Sequence, residues 1–160
     1  MRFGPMTRDD LEGVLGVQAA CYPPAMQEPA HVVLARLAAS PGTVLIARDD
    51  AGVCAYLFAY PSRLGKVTPL GGAFAVAAEP DTLYLHDLAV APRAAGQGAA
   101  RTLVARLHDD AAVRGLHHAA LVSVQDSLAF WESLGYAQAA GDRAALATYP
   151  GDAHYMTKRL

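Results

Sequence analysis

The stretch from Thr82 to Val124 constrains the fold more than any other. Thr82 to Val90 has the residue types of a strand, Gly98 to Arg114 has helical spacing with a stop at Gly115, and Leu116 to Val124 is strand-like again. Strand, helix and strand in this order predict a right-handed βαβ crossover, with a helix packed across one face of two parallel strands. The rest of the chain has to fit around that unit.

The flanking segments supply antiparallel strands. A short strand runs to about Met6, after which Thr7 as N-cap, with Asp9 and Asp10 in the first turn, starts a helix to about Ala20. Its inner stripe is Leu11, Val14, Leu15 and Gln18. Cys21-Tyr22-Pro23-Pro24 breaks it, and a second helix spans roughly Pro29 to Ala39. Thr43 to Arg48 and Val53 to Tyr60 are β-rich runs joined by Asp49-Asp50-Ala51-Gly52, a hairpin composition. Pro61 to Pro80 reads as a glycine-rich loop in which Ala73 to Ala77 fits a short strand or a short helix equally. Beyond the crossover, Ser127 to Leu134 is a short helix closed by Gly135, and Tyr136 to Ala139 and Ala153 to Lys158 are the last two strands. The sum is an α/β chain with a six- or seven-stranded mixed, mostly antiparallel sheet and about four helices. With 160 residues, no repeat and no low-complexity linker, a single domain over 1–160 is expected.

Composition removes several function classes. Hydrophobic residues make up 53% and charged ones 18%, against about 25% charged in typical domains, so a disordered chain is excluded. No apolar run approaches the ~18 residues of a membrane span. The N-terminus lacks the basic-then-apolar pattern of a secretory signal, which makes the cytoplasm the expected compartment. A formal net charge of -2 offers no broad footprint for nucleic acid. Cys21 and Cys54 are expected as reduced thiols, and without a His-x-x-x-His or Cys-x-x-Cys pair no metal site is expected.

The connection from the crossover strand to its helix carries the chemistry. Every residue from Gly96 to Ala100 is glycine, alanine or glutamine, so backbone can approach a ligand closely. Free N–H groups at the helix N-terminus, aided by the helix dipole, suit phosphate or pyrophosphate, with Arg93 or Arg101 adding charge at the rim. No Gly-Lys-Ser/Thr follows, and Gly96-Gln97-Gly98 lacks the third glycine of a dinucleotide fingerprint. From spacing alone, a tight structural turn is the alternative.

Leu88-Ala89-Val90, Pro92 and Ala95-Gly96-Gln97-Gly98-Ala99-Ala100 resemble the signature of the GNAT superfamily of acyl-CoA-dependent N-acyltransferases. Ala95 stands where that family usually has Arg or Gln. A second stretch, Ser127-Leu128-Ala129-Phe130-Trp131-Glu132-Ser133-Leu134-Gly135-Tyr136, is similar to the family's aromatic-rich helix ending in Leu-Gly-Phe. The resemblance implies acetyl-CoA as cosubstrate and no metal. It also implies direct attack of a neutral primary amine on the thioester, with the amides of Ala95, Gly96, Gln97, Gly98, Ala99 and Ala100 cradling the pyrophosphate. An N–H of Leu88, Ala89 or Val90 would serve the oxyanion. Trp131 falls where many relatives carry the tyrosine that protonates the departing thiolate. It is therefore expected as a wall of the pantetheine channel or as core; either the thiolate leaves without a protein acid, which a thiol of pKa ~8.5 tolerates, or Tyr22, Tyr136 or Tyr149 substitutes.

Alternation along the strand places Tyr84, His86, Leu88 and Val90 on one face and Leu85, Asp87 and Ala89 on the other. Histidine suits proton transfer near neutral pH, which favours His86 as the base. Its Leu-His-x-Leu-Ala-Val string resembles the arylalkylamine-acetyltransferase branch, where a histidine here serves as base or proton relay, and Tyr84 occupies a position where relatives often carry Glu or His. Read from the residues alone, His86 is also an ordinary strand histidine, and Asp87 is the competing candidate, to orient the amine or a loop from the opposite face or only to accept backbone hydrogen bonds. Acceptor contacts are expected from the Cys21–Glu28 loop, the loop after Tyr60 and the final hairpin. There Tyr22, Phe58 and Tyr60 would line an apolar slot and Glu28 would meet a cationic amine. The expected function is N-acetylation of a small-molecule amine; a non-catalytic acyl-CoA-binding module and a protein or peptide N-acetyltransferase are the alternatives. The oligomeric state is not written in the sequence; a homodimer through a sheet edge or the C-terminal strands is common in such folds and would cover the edge.

Overall fold

The computed structural model describes all 160 residues. The strands are β1 (Arg2–Pro5), β2 (Val44–Asp49), β3 (Gly52–Ser62), β4 (Thr82–Val90), β5 (His118–Ser123), β6 (Ala137–Gln138) and β7 (His154–Arg159). The helices are α1 (Leu11–Cys21), α2 (Ala30–Ala39), α3 (Ala99–Val113), α4 (Leu128–Ser133) and α5 (Arg143–Leu146). The seven strands form one mixed sheet in the order β1-β2-β3-β4-β5-β7-β6. Only β4 and β5 pair in parallel, as the crossover requires.

The helix count is five rather than about four. The extra one, α5, is a four-residue turn capped by the Asp142 carboxylate, which accepts the Ala144 and Ala145 N–H groups at 3.0 and 3.3 Å. Ala73 to Ala77 is neither strand nor helix. At the front, Thr7 and Asp10 form a capping box, the Thr7 N–H donating to the Asp10 carboxylate at 2.8 Å.

Two cores sandwich the sheet. On one face Val14 and Val17 of α1 and Val33 and Leu37 of α2 pack on Tyr56, Phe58, Tyr60 and Tyr84. On the other, Leu103, Val104 and Leu107 of α3 pack on Leu57, Leu83, Leu85 and Leu121. The spacing of the α3 trio gives that helix its inward stripe, and burying each leucine contributes about 2 kcal/mol.

One irregularity in β4 positions the site. Phe58 faces Asp87 and Ala59 faces Leu85, so His86 is an extra residue with no partner on β3, a β-bulge. The bulge shifts the side-chain alternation by one. Tyr84 and Ala89 join the α1–α2 core, whereas Leu85, Leu88 and Val90 join the α3 side. The expected common face for Tyr84, His86, Leu88 and Val90 is therefore corrected, because strict alternation assumes an unbroken ladder. The same bulge marks where β4 leaves β5. Their pairing ends at Leu85↔Leu121, and from His86 to Val90 about 13 Å of β4 edge runs free.

Candidate active site

Where β4 and β5 part, a cleft of about 260 Å³ opens between Leu88 and Val90 of β4, Val122 of β5, Tyr22, Phe130 and Trp131. It shares Val90, Ala100 and Phe130 with a second cleft of about 510 Å³ over the glycine turn. A single groove thus leads from the N-terminus of α3 to the bulge at His86.

Backbone supplies most of its polarity. The Ala91 N–H donates to the Cys54 carbonyl at 2.7 Å, so alternation points Ala89 and Ala91 toward β3 and Leu88 and Val90 toward the gap. The Leu88 carbonyl accepts the Tyr22 hydroxyl at 3.0 Å, and the Val90 carbonyl accepts the Cys21 thiol at 3.1 Å. The N–H groups of Leu88 and Val90 are the donors left on this edge for a ligand carbonyl. At the other end of the groove, Gly96 and Gly98 have φ of 76° and 80°, a region in which L side chains are strained. The next N–H groups, Ala99 to Arg101, form the first turn of α3 and have no intrahelical acceptor. The far lip of the cleft holds Gln125, which with its neighbour Asp126 has positive φ, 52° and 56°, and the Gln125 amide reaches across to the Cys21 carbonyl at 3.4 Å.

On the α1–α2 side of the bulge lies a buried polar network. The His86 side chain is 2% exposed, with Nε2 3.3 Å from Glu28 Oε1. The same oxygen pairs with the buried Arg36 guanidinium, while Oε2 accepts the Gly71 N–H at 2.9 Å. Arg36 also donates to the Gly72 carbonyl at 3.1 and 2.7 Å. Phe74 stacks on Tyr60 at 4.4 Å and meets His86 edge-on at 5.5 Å, with Arg36 over its ring. The loop between β3 and β4 is thereby pinned across His86. Burial pushes the Glu28 carboxyl up, but hydrogen bonds from His86 and Arg36 outweigh it and hold the group at about 2, fully ionised. Asp87 behaves oppositely: its burial prevails over His86 and the Tyr22 and Tyr56 hydroxyls and raises it, with Tyr56 donating at 2.9 Å. Burial holds Tyr22 and Tyr56 well above the usual phenol value, so both are neutral donors.

Of the residues singled out from sequence, Ala95, Gly96, Gly98, Ala99 and Ala100 line the turn end of the groove. Gln97 instead folds its amide onto the Arg93 carbonyl at 3.3 Å. Leu88, Val90, Trp131 and Tyr22 line the inner end, while Ala89 faces the opposite core. Tyr84 is buried in that core with its hydroxyl unpartnered, away from the groove lining. Glu28 does not face a slot for a cationic amine; its carboxylate is buried and occupied by Arg36, His86 and Gly71. Nor do Phe58 and Tyr60 share a slot with Tyr22, since both are core residues and Tyr60 lies beneath Phe74. Arg93 is drawn to Asp49 at 2.9 Å, leaving Arg101 at the turn's rim. Among the three tyrosines, only Tyr22 borders the groove: Tyr136 pairs with His108 Nε2 at 2.7 Å and Tyr149 donates to the Thr68 carbonyl at 2.7 Å. Sequence reasoning missed Arg36 and Phe74. The available signal was an arginine on the apolar stripe of α2, between Val33 and Leu37.

No group of three or more His, Cys, Asp or Glu side chains is gathered as for a metal, and no helix is long and apolar enough to cross a membrane. The sequence pattern of the Acetyltransferase (GNAT) family matches residues 11–136. The chain belongs to the GNAT family of acetyltransferases. Comparison with curated proteins gives no match. Solved GNAT structures share the fold across nearly the whole chain. The GphF GNAT-like decarboxylase in complex with isobutyryl-CoA has a TM-score of 0.80 at 14% identity, covering 99% of both chains. The ribosomal-protein-S18-alanine N-acetyltransferase of Escherichia coli has a TM-score of 0.71 at 20% identity, covering 99% of this chain and 92% of the other. The PaiA N-acetyltransferase of Thermoplasma acidophilum, in complex with coenzyme A, has 0.70 at 14%, covering 99% and 98%.

Proposed function

We propose that this GNAT acetyltransferase moves an acetyl group from acetyl-CoA to a small primary amine by direct attack on the thioester. The observation that carries the reading is the groove itself, which joins a donor-rich helix N-terminus to two unpaired β4 N–H groups beside a histidine on a bulge. The amides from Gly96 to Ala100 would hold the pyrophosphate, and the Leu88–Val90 edge would take the pantetheine arm as an added strand, with Trp131 as its wall. The Leu88 N–H would meet the oxygen on which charge develops. As the new C–N bond forms and the C–S bond breaks, His86 takes the amine proton. The neutral Tyr22 hydroxyl returns one to the thiolate, the role left open by tryptophan at position 131. Tyr84 supports the His86 ring from the core side, their centroids 6.3 Å apart.

His86 borders the cleft but its side chain is 2% exposed beneath Phe74, so movement of Phe74 and its loop would open it to the acceptor, and acceptor choice belongs to that loop. Arylalkylamines are the class to offer first, because the Leu85–Val90 string resembles that branch; protein N-termini are the alternative. The test is thiol release from acetyl-CoA with aryl-alkylamines, polyamines, amino acids and short peptides, alongside calorimetric titration of the coenzyme. Release with one amine class is expected. The cover over His86 favours a second reading, acyl-CoA binding without transfer, which tight binding with no release across the panel would select. Absence of binding would refute both.

A further inference from the structure

Glu28 is not where a substrate-binding carboxylate belongs, yet it is held with unusual care. Its backbone is clamped at both ends by the buried Gln18 amide, which donates to the Glu28 carbonyl at 2.9 Å and accepts the Glu28 N–H at 3.0 Å. Its carboxylate is fixed by Arg36 from α2 and by the Gly71 N–H from the covering loop. One contact remains, to His86 Nε2 at 3.3 Å. The opposite ring nitrogen, His86 Nδ1, is buried with no hydrogen-bond partner at all. An ionised carboxylate only accepts, so the ring must donate through Nε2–H, and the neutral imidazole then carries its lone pair on Nδ1. A buried, unpartnered lone pair is a poor choice for structure alone, since burying an unsatisfied polar atom is unfavourable.

We infer that Glu28, braced by Arg36 and Gln18, is the positioning residue of this site: it fixes His86 as the Nε2–H tautomer and aims Nδ1 to take the proton of the acceptor amine. The inference rests on the reading of His86 as base. When the amine gives up its proton to Nδ1, the ring becomes an imidazolium whose charge faces the Glu28 carboxylate, with Arg36 keeping that carboxylate in place. The same carboxylate holds Gly71, so the loop that uncovers His86 hangs on the group that prepares it. The other titratable or charged groups around the ring are Arg36, Asp87 and Tyr84, with Tyr22 and Tyr149 further out.

The test is ¹⁵N NMR of the histidine rings in the full-length protein at neutral pH, with the His86 signals assigned by their loss in His86→Ala. The wild type is expected to show protonated Nε2 and lone-pair Nδ1 at His86, and Glu28→Gln a mixture of tautomers. In Glu28→Gln, kcat at pH 7 should fall on the order of 10-fold with KM for acetyl-CoA unchanged. A wild-type ring protonated on Nδ1 overturns the inference, as does a Glu28→Gln enzyme with wild-type kcat. If Glu28→Gln fails to fold, the wild-type spectrum still decides the tautomer. Wild-type turnover in His86→Ala would instead defeat the base reading, a distinct failure because the spectrum is read without turnover.

Discussion

Lowering the pH should dismantle the Glu28 hub in a predictable window. The carboxyl is held at about 2 in the folded chain against an ordinary 4.5, and it is only 5% exposed, so solvent does little to weaken the effect. A group whose value is lowered by folding stabilises above its unfolded value and loses that contribution as pH falls toward the folded one. At about 1.4 kcal/mol per pH unit the carboxylate contributes about 3 kcal/mol at pH 6, of which about 1 is gone at pH 4 and about 2 at pH 3. Glu28→Gln removes this titration and leaves Arg36 buried without its partner, which costs about 3–5 kcal/mol at pH 6. Urea unfolding of both proteins at pH 6, 4 and 3 gives the comparison directly. The gap between them should shrink by about 2 kcal/mol from pH 6 to pH 3. A constant gap would show that Glu28 does not titrate through this network.

Three further outcomes follow from the site. Gly98→Ala, at φ 80° with nothing within 4 Å of the added Cβ, should cost about 1–2 kcal/mol through backbone strain rather than clash, read by thermal unfolding, and weaken acetyl-CoA binding about tenfold by calorimetry. Phe74→Ala should destabilise by about 3 kcal/mol and make His86 reactive toward diethylpyrocarbonate, mapped by mass spectrometry; continued protection would mean that Phe74 is not its cover. Tyr22→Phe should lower kcat by about 10²-fold with coenzyme affinity unchanged, and an unaltered kcat would remove it as the acid.

The crossover, the β2–β3 hairpin and the glycine turn were legible because each is written in local periodicity or in residues that permit a special backbone. The bulge was not: an extra residue in a strand leaves no mark when His86 is flanked by residues that suit either face. That single insertion carried Leu88 and Val90 to the face opposite Tyr84 and His86 and brought Asp87 to the same side as His86. The Glu28 network was hidden for another reason. Its members come from four segments, at Gln18, Glu28–Arg36, Gly71–Phe74 and His86, and only the fold brings them together. Arg36, on an otherwise apolar helix stripe, was the one visible hint that a buried counter-charge awaited it. The short helix α5 escaped because Asp142 caps only a single turn, too brief for a period to show.

On the proposed function, acetyl-CoA lies along the free edge of β4 and on the turn that follows it. Amide hydrogen exchange with and without acetyl-CoA measures this directly. Slowed exchange is expected at Leu88 and Val90 and from Gly96 to Ala100, with the β1–β2 edge of the sheet unchanged. Binding that left the Leu88 and Val90 amides as exchangeable as before would contradict it.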